Sequence, residues 1–147
     1  MRKVVKFGGS SLASAEQFKK VGNIIRSDES RCYVVPSAPG KRNSRDTKVT
    51  DLLYGCYGKA AEGKDFSGNL KEIKERYYEI IQGLGLNLSL EEEFQVIEEK
   101  FKEQAGRDYA ASRGEYLNGI IMAEYLGYTF IDAATVIRFD KNGVFDP

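Results

Sequence analysis

The 147-residue sequence has no histidine and only two cysteines. Without an imidazole, a Ser-His-Asp triad, a histidine general base and the common zinc sites are excluded within this chain. Cys32 and Cys56 lie far apart and outside any C-x-x-C pair. Each sits in an apolar stretch, one strand-like and one helical, where a small buried thiol is expected. An excess of charge of one sign is also missing, since 22 Lys and Arg balance 22 Asp and Glu. Broad non-specific nucleic-acid binding needs a cationic surplus over a whole face, so it is excluded. No apolar run approaches the roughly 18 residues of a membrane span, and the opening MRKVVKFGG lacks the apolar core of a signal peptide. The expectation is a soluble, cytoplasmic protein with no nucleic-acid or membrane partner. Any anion it binds must be held by local placement of charge and backbone.

What is present is ordinary globular composition, 41% hydrophobic with 12% aromatic residues. At this length a single domain with a self-sufficient core is expected. Lys3 to Phe7 reads as a buried strand ended by Gly8-Gly9. Ser14 to Gln17 has capping-box spacing, and Phe18, Val21, Ile24 and Ile25 follow at helical period. Tyr33 to Val35 gives a second strand, closed by Pro36 and Pro39-Gly40. Strand, helix, strand predicts a parallel pair with a right-handed crossover.

Helices are then expected from about Thr50 to Ala61, from Leu70 to Gly83-Gly85, from Ser89 through Phe101, and from about Tyr116 to Leu126. Thr129 to Ile131 returns to strand, and Ala133 to Arg138 reads as a short connection or helical turn. The fold class is α/β, an open, mainly parallel sheet of three strands wrapped by about five helices on both faces.

Five places have chemical potential. Lys6-Phe-Gly-Gly-Ser-Ser11 ends a strand in two glycines, where backbone N–H groups and a helix N-terminus can meet an anion beside the Lys6 cation. It reads equally as a plain strand-to-helix turn with glycine at positive φ. It is not a Walker A loop: Gly40-Lys41 is followed by Arg42, and Val35 stands where the first glycine belongs. Ser37 follows the second strand, on the side where open α/β sheets bind ligands. The stretch from Lys41 to Lys48 holds four cations against Asp46 alone. It reads either as a mobile loop meeting a polyanion or as a solvated loop. Ser112 and Glu115 have the spacing of another capping box, or Glu115 faces a cleft to hold an ammonium. Asp132, at the end of the third strand, reads as a cap.

Taken together, these segments resemble the amino-terminal part of the aspartokinases, within the amino-acid kinase family. The resemblance rests on Lys6-Phe-Gly-Gly-Ser-Ser-Leu-Ala13, Val34-Val-Pro-Ser-Ala38, Thr50-Asp-Leu-Leu53, Arg113-Gly-Glu115 and Phe130-Ile-Asp132, in that order along nearly the whole chain. It implies ATP-dependent phosphorylation, with Mg2+, of the L-aspartate side-chain carboxylate to 4-phospho-L-aspartate, the first step towards lysine, threonine and methionine. It further implies that Lys6 stabilises the transferred phosphoryl group, that Gly8, Gly9 and Ser10 cradle it, and that Ser37, Thr50 and Glu115 hold aspartate, with Glu115 on the α-ammonium. The full-length enzyme is expected to be a homo-oligomer, a dimer. A carboxylate nucleophile is already ionised at neutral pH, which suits a chain without histidine.

Two departures stand out. The basic segment between Ser37 and Thr50 is longer than the usual short loop, and Pro36 and Pro39 stiffen the turn before it. Aspartokinases also continue past the equivalent of Pro147, with a substrate-carboxylate arginine, a catalytic aspartate, the nucleotide-binding half and regulatory ACT domains. The resemblance therefore implies the substrate-side portion of a catalytic domain. Expected of 147 residues alone is no turnover, and ADP release above background with aspartate and MgATP would contradict that. Another carboxylate or carbamate kinase of the superfamily, or a non-catalytic binding or assembly module, are the alternatives.

Overall fold

The computed structural model describes all 147 residues, Met1–Pro147. Strand β1 (Lys3–Phe7) leads through a 3₁₀ turn (Gly9–Leu12) into helix α1 (Ala15–Arg26), and β2 (Arg31–Pro36) follows. Ser14 caps α1 by accepting from the Gln17 amide, as its spacing predicts. β1 and β2 pair in parallel, with Val5 opposite Val34 and Lys6 opposite Val35, so the expected crossover unit is formed. Four long helices come next: α2 (Val49–Ala61), α3 (Ser67–Gly83), α4 (Glu91–Lys102) and α5 (Arg107–Leu126). A single helical turn, α6 (Ala133–Val136), precedes a small antiparallel pair, β3 (Arg138–Phe139) and β4 (Phe145–Asp146).

The core is where α1 to α5 converge on the inner face of the sheet. One buried cluster joins Phe18, Val21 and Ile25 of α1, Leu53 and Cys56 of α2, Ile73, Tyr77 and Ile80 of α3, Phe94 and Ile97 of α4, and Leu117 and Ile121 of α5. Val5, Phe7 and Val34 pack against this cluster from the sheet. Fully burying each such side chain contributes roughly 1.5–3 kcal/mol, so the helical layer holds the sheet in place. The sheet's outer face carries Val4, Tyr33 and Val35, all exposed.

Three expectations change. Thr129 to Ile131 is not a strand: β2 pairs only with β1, and a strand exists by its ladder bonds, which this segment lacks. The sheet is therefore smaller than the three-stranded core expected. Helix α5 begins at Arg107 instead of near Tyr116, which places Ser112 and Glu115 in its interior. Ser112 is no cap; its hydroxyl donates to the Tyr109 carbonyl one turn back, at 2.7 Å. Finally, Cys56 is buried as expected but Cys32 is exposed on β2.

Candidate functional site

The first turn is built differently from either expectation. Neither Gly8 nor Gly9 has a positive φ, so no left-handed turn demands them. Gly9 is required by packing, because a Cβ there would come within 2.9 Å of the Ala38 carbonyl oxygen. Gly8 is extended, and a Cβ there would meet nothing within 4 Å. Gly9 opens the 3₁₀ turn with Gly8 just before it, and α1 starts only at Ala15 under its own Ser14 cap. The helix N-terminus is thus separated from the glycines and occupied by Ser14.

The second turn lies directly against the first. The Gly40 amide donates to the Gly9 carbonyl at 2.8 Å, and a Cβ on Gly40 would collide with Gly9 at 2.6 Å. Two turns at the same end of a parallel pair are held back to back by a glycine–glycine contact. The loop from Lys41 to Lys48 then returns to its starting point, where the Val49 amide donates to the Pro39 carbonyl. Asp46 within it is bound by Arg42 and by Arg76 of α3. Arg42's hydrogen bonds foremost, and the charge of Arg76, hold the Asp46 carboxyl well below the usual carboxylate range. The loop is anchored, unlike the freely solvated segment its composition permits.

Helix α5 closes the site from the side. A Cβ on Gly114 would meet the Ala38 Cβ at 2.6 Å, so this glycine lets the helix backbone lie on the second turn. Tyr77, fully buried, donates its hydroxyl to the Gly114 carbonyl at 2.8 Å. Burial and the nearby Glu115 charge push the Tyr77 phenol well up, so it remains a donor. One residue on, Glu115 is exposed at the cleft. Arg113 leans the other way, stacked over the Tyr109 and Tyr116 rings at 4.8 and 4.5 Å.

These segments enclose a polar cleft of about 520 Å³. Ser10, Ser37, Thr50 and Glu115, from four separate stretches of sequence, all line it, together with Gly9. Lys41 and Lys48 line it as well. Lys6 and Gly8 are not among the lining residues; Lys6 is exposed on the outer face of the sheet, opposite Val35 in register. Asp132 caps α6, accepting from the Ala134 amide at 3.0 Å. A separate groove of about 570 Å³, mostly apolar, runs between the outer side of β2, α5 and residues 128–134.

Sequence reasoning missed the residues that build this cleft from behind. Asn118 of α5 is fully buried and donates to the Ser37 carbonyl at 2.7 Å. Tyr77 and Arg76 act similarly from α3. A signal was present in two cases: Arg76 and Asn118 fall within apolar stripes, where a buried polar side chain needs a partner. Their partners, 29 to 81 residues away along the chain, could not be read.

With two ammonium groups, one carboxylate, three hydroxyls and backbone amides, the cleft suits a small zwitterion with an additional anionic group. It does not suit a metal held by protein alone. No three His, Cys, Asp or Glu side chains come together anywhere in the chain, and Glu115 is the cleft's single carboxylate.

Comparisons with known proteins bear on the family and the fold. The sequence pattern of the amino acid kinase family matches residues 1–144. Aspartokinase 3 of Bacillus subtilis is 41% identical over 144 residues, covering 91% of this chain and 31% of that protein. Aspartokinase 1, chloroplastic, of Arabidopsis thaliana is 32% identical over 148 residues, covering 93% and 25%. The crystal structure of Clostridium acetobutylicum aspartate kinase superposes with a TM-score of 0.93 at 52% identity, over 97% of this chain and 33% of that one. Escherichia coli aspartokinase III, in complex with aspartate and ADP, shares the fold with a TM-score of 0.76 at 23% identity, over 100% and 35%. The chain spans a quarter to about a third of the length of these relatives. Matched almost from end to end, and folded as these kinases are, the chain belongs to the amino acid kinase family.

Proposed function

We propose that the chain is the substrate-side portion of an aspartokinase catalytic domain, which transfers the γ-phosphoryl group of ATP to the side-chain carboxylate of L-aspartate. The observation that carries this reading is the convergence of Ser37, Thr50 and Glu115 with Lys41 and Lys48 in one cleft. L-aspartate bears two carboxylates and one ammonium. Glu115 is the one group there that attracts the ammonium, while the lysines and hydroxyls suit the carboxylates.

In this reaction a carboxylate oxygen attacks the γ-phosphorus, the bond to the ADP oxygen breaks, and an acyl phosphate forms. The nucleophile is already ionised, so no base removes a proton, and catalysis consists of positioning and charge compensation. The backbone around Gly8 and Gly9, with Ser10, is suited to the phosphoryl group, and Lys6 to the charge that develops on it. Lys6 would have to turn from the outer face of the sheet over the strand end. Magnesium would accompany the nucleotide and offset charge on its phosphates, since no carboxylate cluster in this chain would hold it. The setting that goes with this reading is cytoplasmic amino-acid biosynthesis towards lysine.

Titration of L-aspartate into the chain, followed by amide chemical shifts, tests the reading. Shifts are expected at Ser37, Lys41, Lys48 and Glu115, with Glu115→Gln weakening binding by about tenfold or more. Stronger binding of L-glutamate or N-acetylglutamate would point to another kinase of the family. No shift with any of the three would overturn the assignment of the cleft.

A further inference from the structure

The loop that brings Lys41 and Lys48 to the cleft is held from beneath by a residue that is not itself in the cleft. Arg76, on α3, is 3% exposed. Its Nη2 donates to the Gly40 carbonyl at 2.6 Å and its Nη1 to the Thr47 carbonyl at 2.8 Å. Those carbonyls belong to the residues just before Lys41 and Lys48. The Gly40 amide N–H in turn donates to Gly9, so this one residue links the guanidinium to the first turn. Thr47 leads within three residues to Thr50, in the first turn of α2.

We propose that Arg76 is a positioning residue for the cleft: its two-pronged bond to the Gly40 and Thr47 carbonyls closes the loop at its neck and sets Lys41 and Lys48 against Ser37, Thr50 and Glu115. Asp46 supplies the countercharge, 3.3 Å from Arg76 Nη1. It is also gripped by Arg42, whose Nε and Nη2 reach its two oxygens at 2.7 and 3.0 Å. The loop's one acid is thereby consumed inside the loop, so the two lysines have no carboxylate partner within it.

A planar fork that satisfies two carbonyls at once is a property of arginine. A lysine ammonium keeps the charge but is a single point donor. If Arg76 only neutralised Asp46, lysine would replace it. If it clamps the neck, lysine would not. The loop part of this proposal is independent of the ligand; its effect on affinity rests on the aspartate reading above.

The test is amide hydrogen exchange on the full 147-residue chain, wild type and Arg76→Lys, alongside L-aspartate titration. In Arg76→Lys the amides of Gly40, Arg42 and Val49 should exchange about tenfold faster or more, while those of Ile80 and Phe94 are unchanged. L-aspartate should bind about tenfold more weakly. Unchanged loop exchange in a folded Arg76→Lys protein overturns the proposal. Faster loop exchange with no L-aspartate binding by wild type supports the clamp and removes the aspartate reading instead. Should Arg76→Lys not fold, wild type in graded denaturant decides. Gly40 and Val49 should open in the same step as Tyr77 of α3, and opening well ahead of it overturns the clamp.

Discussion

A methyl group placed on Gly9 would press on the Ala38 carbonyl and the Gly40 amide, whereas one placed on Gly8 would face open space. Adjacent glycines in one motif therefore answer to different demands. Gly9→Ala should cost about 1–3 kcal/mol of stability. Gly8→Ala should stay within about 0.5 kcal/mol and show its effect only when a phosphate-bearing ligand approaches. Thermal unfolding of the two variants checks the first part, and equal destabilisation would contradict it. Asp46 gives a second prediction at this scale. Its folded pKa is depressed by Arg42 and Arg76, so its stabilisation is fully present above the unfolded value, about 3.9, and is lost as pH falls through the folded one. Asp28, paired with Lys3 and bonded to Ser30, acts in the same direction. The stability gap between wild type and Asp46→Asn should therefore narrow as the solution is acidified below about pH 4. A gap independent of pH would show that the carboxylate's charge is not what Arg42 and Arg76 hold.

At the scale of elements, what the sequence discloses depends on the distance between cause and consequence. β1, α1 and β2 are legible because their signals are local: a β-branched run, a Ser14 cap, an apolar period. The start of helix α5 is not, because Ser112 and Glu115 imitate a cap, while the real start, at Gly106, has no side-chain cap bond. The strand expected at Thr129 to Ile131 fails for the complementary reason, since residue type supplies propensity but not a neighbouring strand. The cleft is legible as a set of residues and not as an assembly, because Gly114, Asn118 and Arg76 act on partners distant in sequence. Two glycines in helices make the point testable. A methyl on Gly58 of α2 would have nothing within 4 Å, whereas one on Gly114 would meet the Ala38 Cβ at 2.6 Å. Gly58→Ala should stabilise the chain by about 0.5–1 kcal/mol, the helix-propensity gain. Gly114→Ala should lose about 1–3 kcal/mol despite the same propensity gain, and weaken L-aspartate binding by displacing α5 from the Ser37 turn. Denaturant unfolding of the pair decides it, and stabilisation by both would mean that α5 yields without consequence.

For the molecule as a whole, balanced charge and an ordinary composition conceal an uneven surface. The helices bury one face of a sheet that has only two strands, and a pair of strands is marginal without cover on at least one side. The outer face leaves Val4 69%, Val35 49% and Tyr33 47% exposed, with the apolar groove along β2 beside it. Phe139 and Phe145 add further exposed aromatic area on the β3–β4 pair. A net charge of zero supplies no long-range repulsion to keep such faces apart. No helix is long and apolar enough to cross a membrane. The isolated chain should therefore bind a hydrophobic dye and self-associate with increasing concentration, more strongly in sulfate than in chloride, as excluded salts favour apolar burial. Replacing Tyr33 and Val35 together by threonine keeps β-propensity while removing apolar area. It should lower association without lowering the unfolding temperature, because neither side chain belongs to the core. Sedimentation at several concentrations checks this. A wild type that stays strictly monomeric at every concentration and in both salts would contradict this.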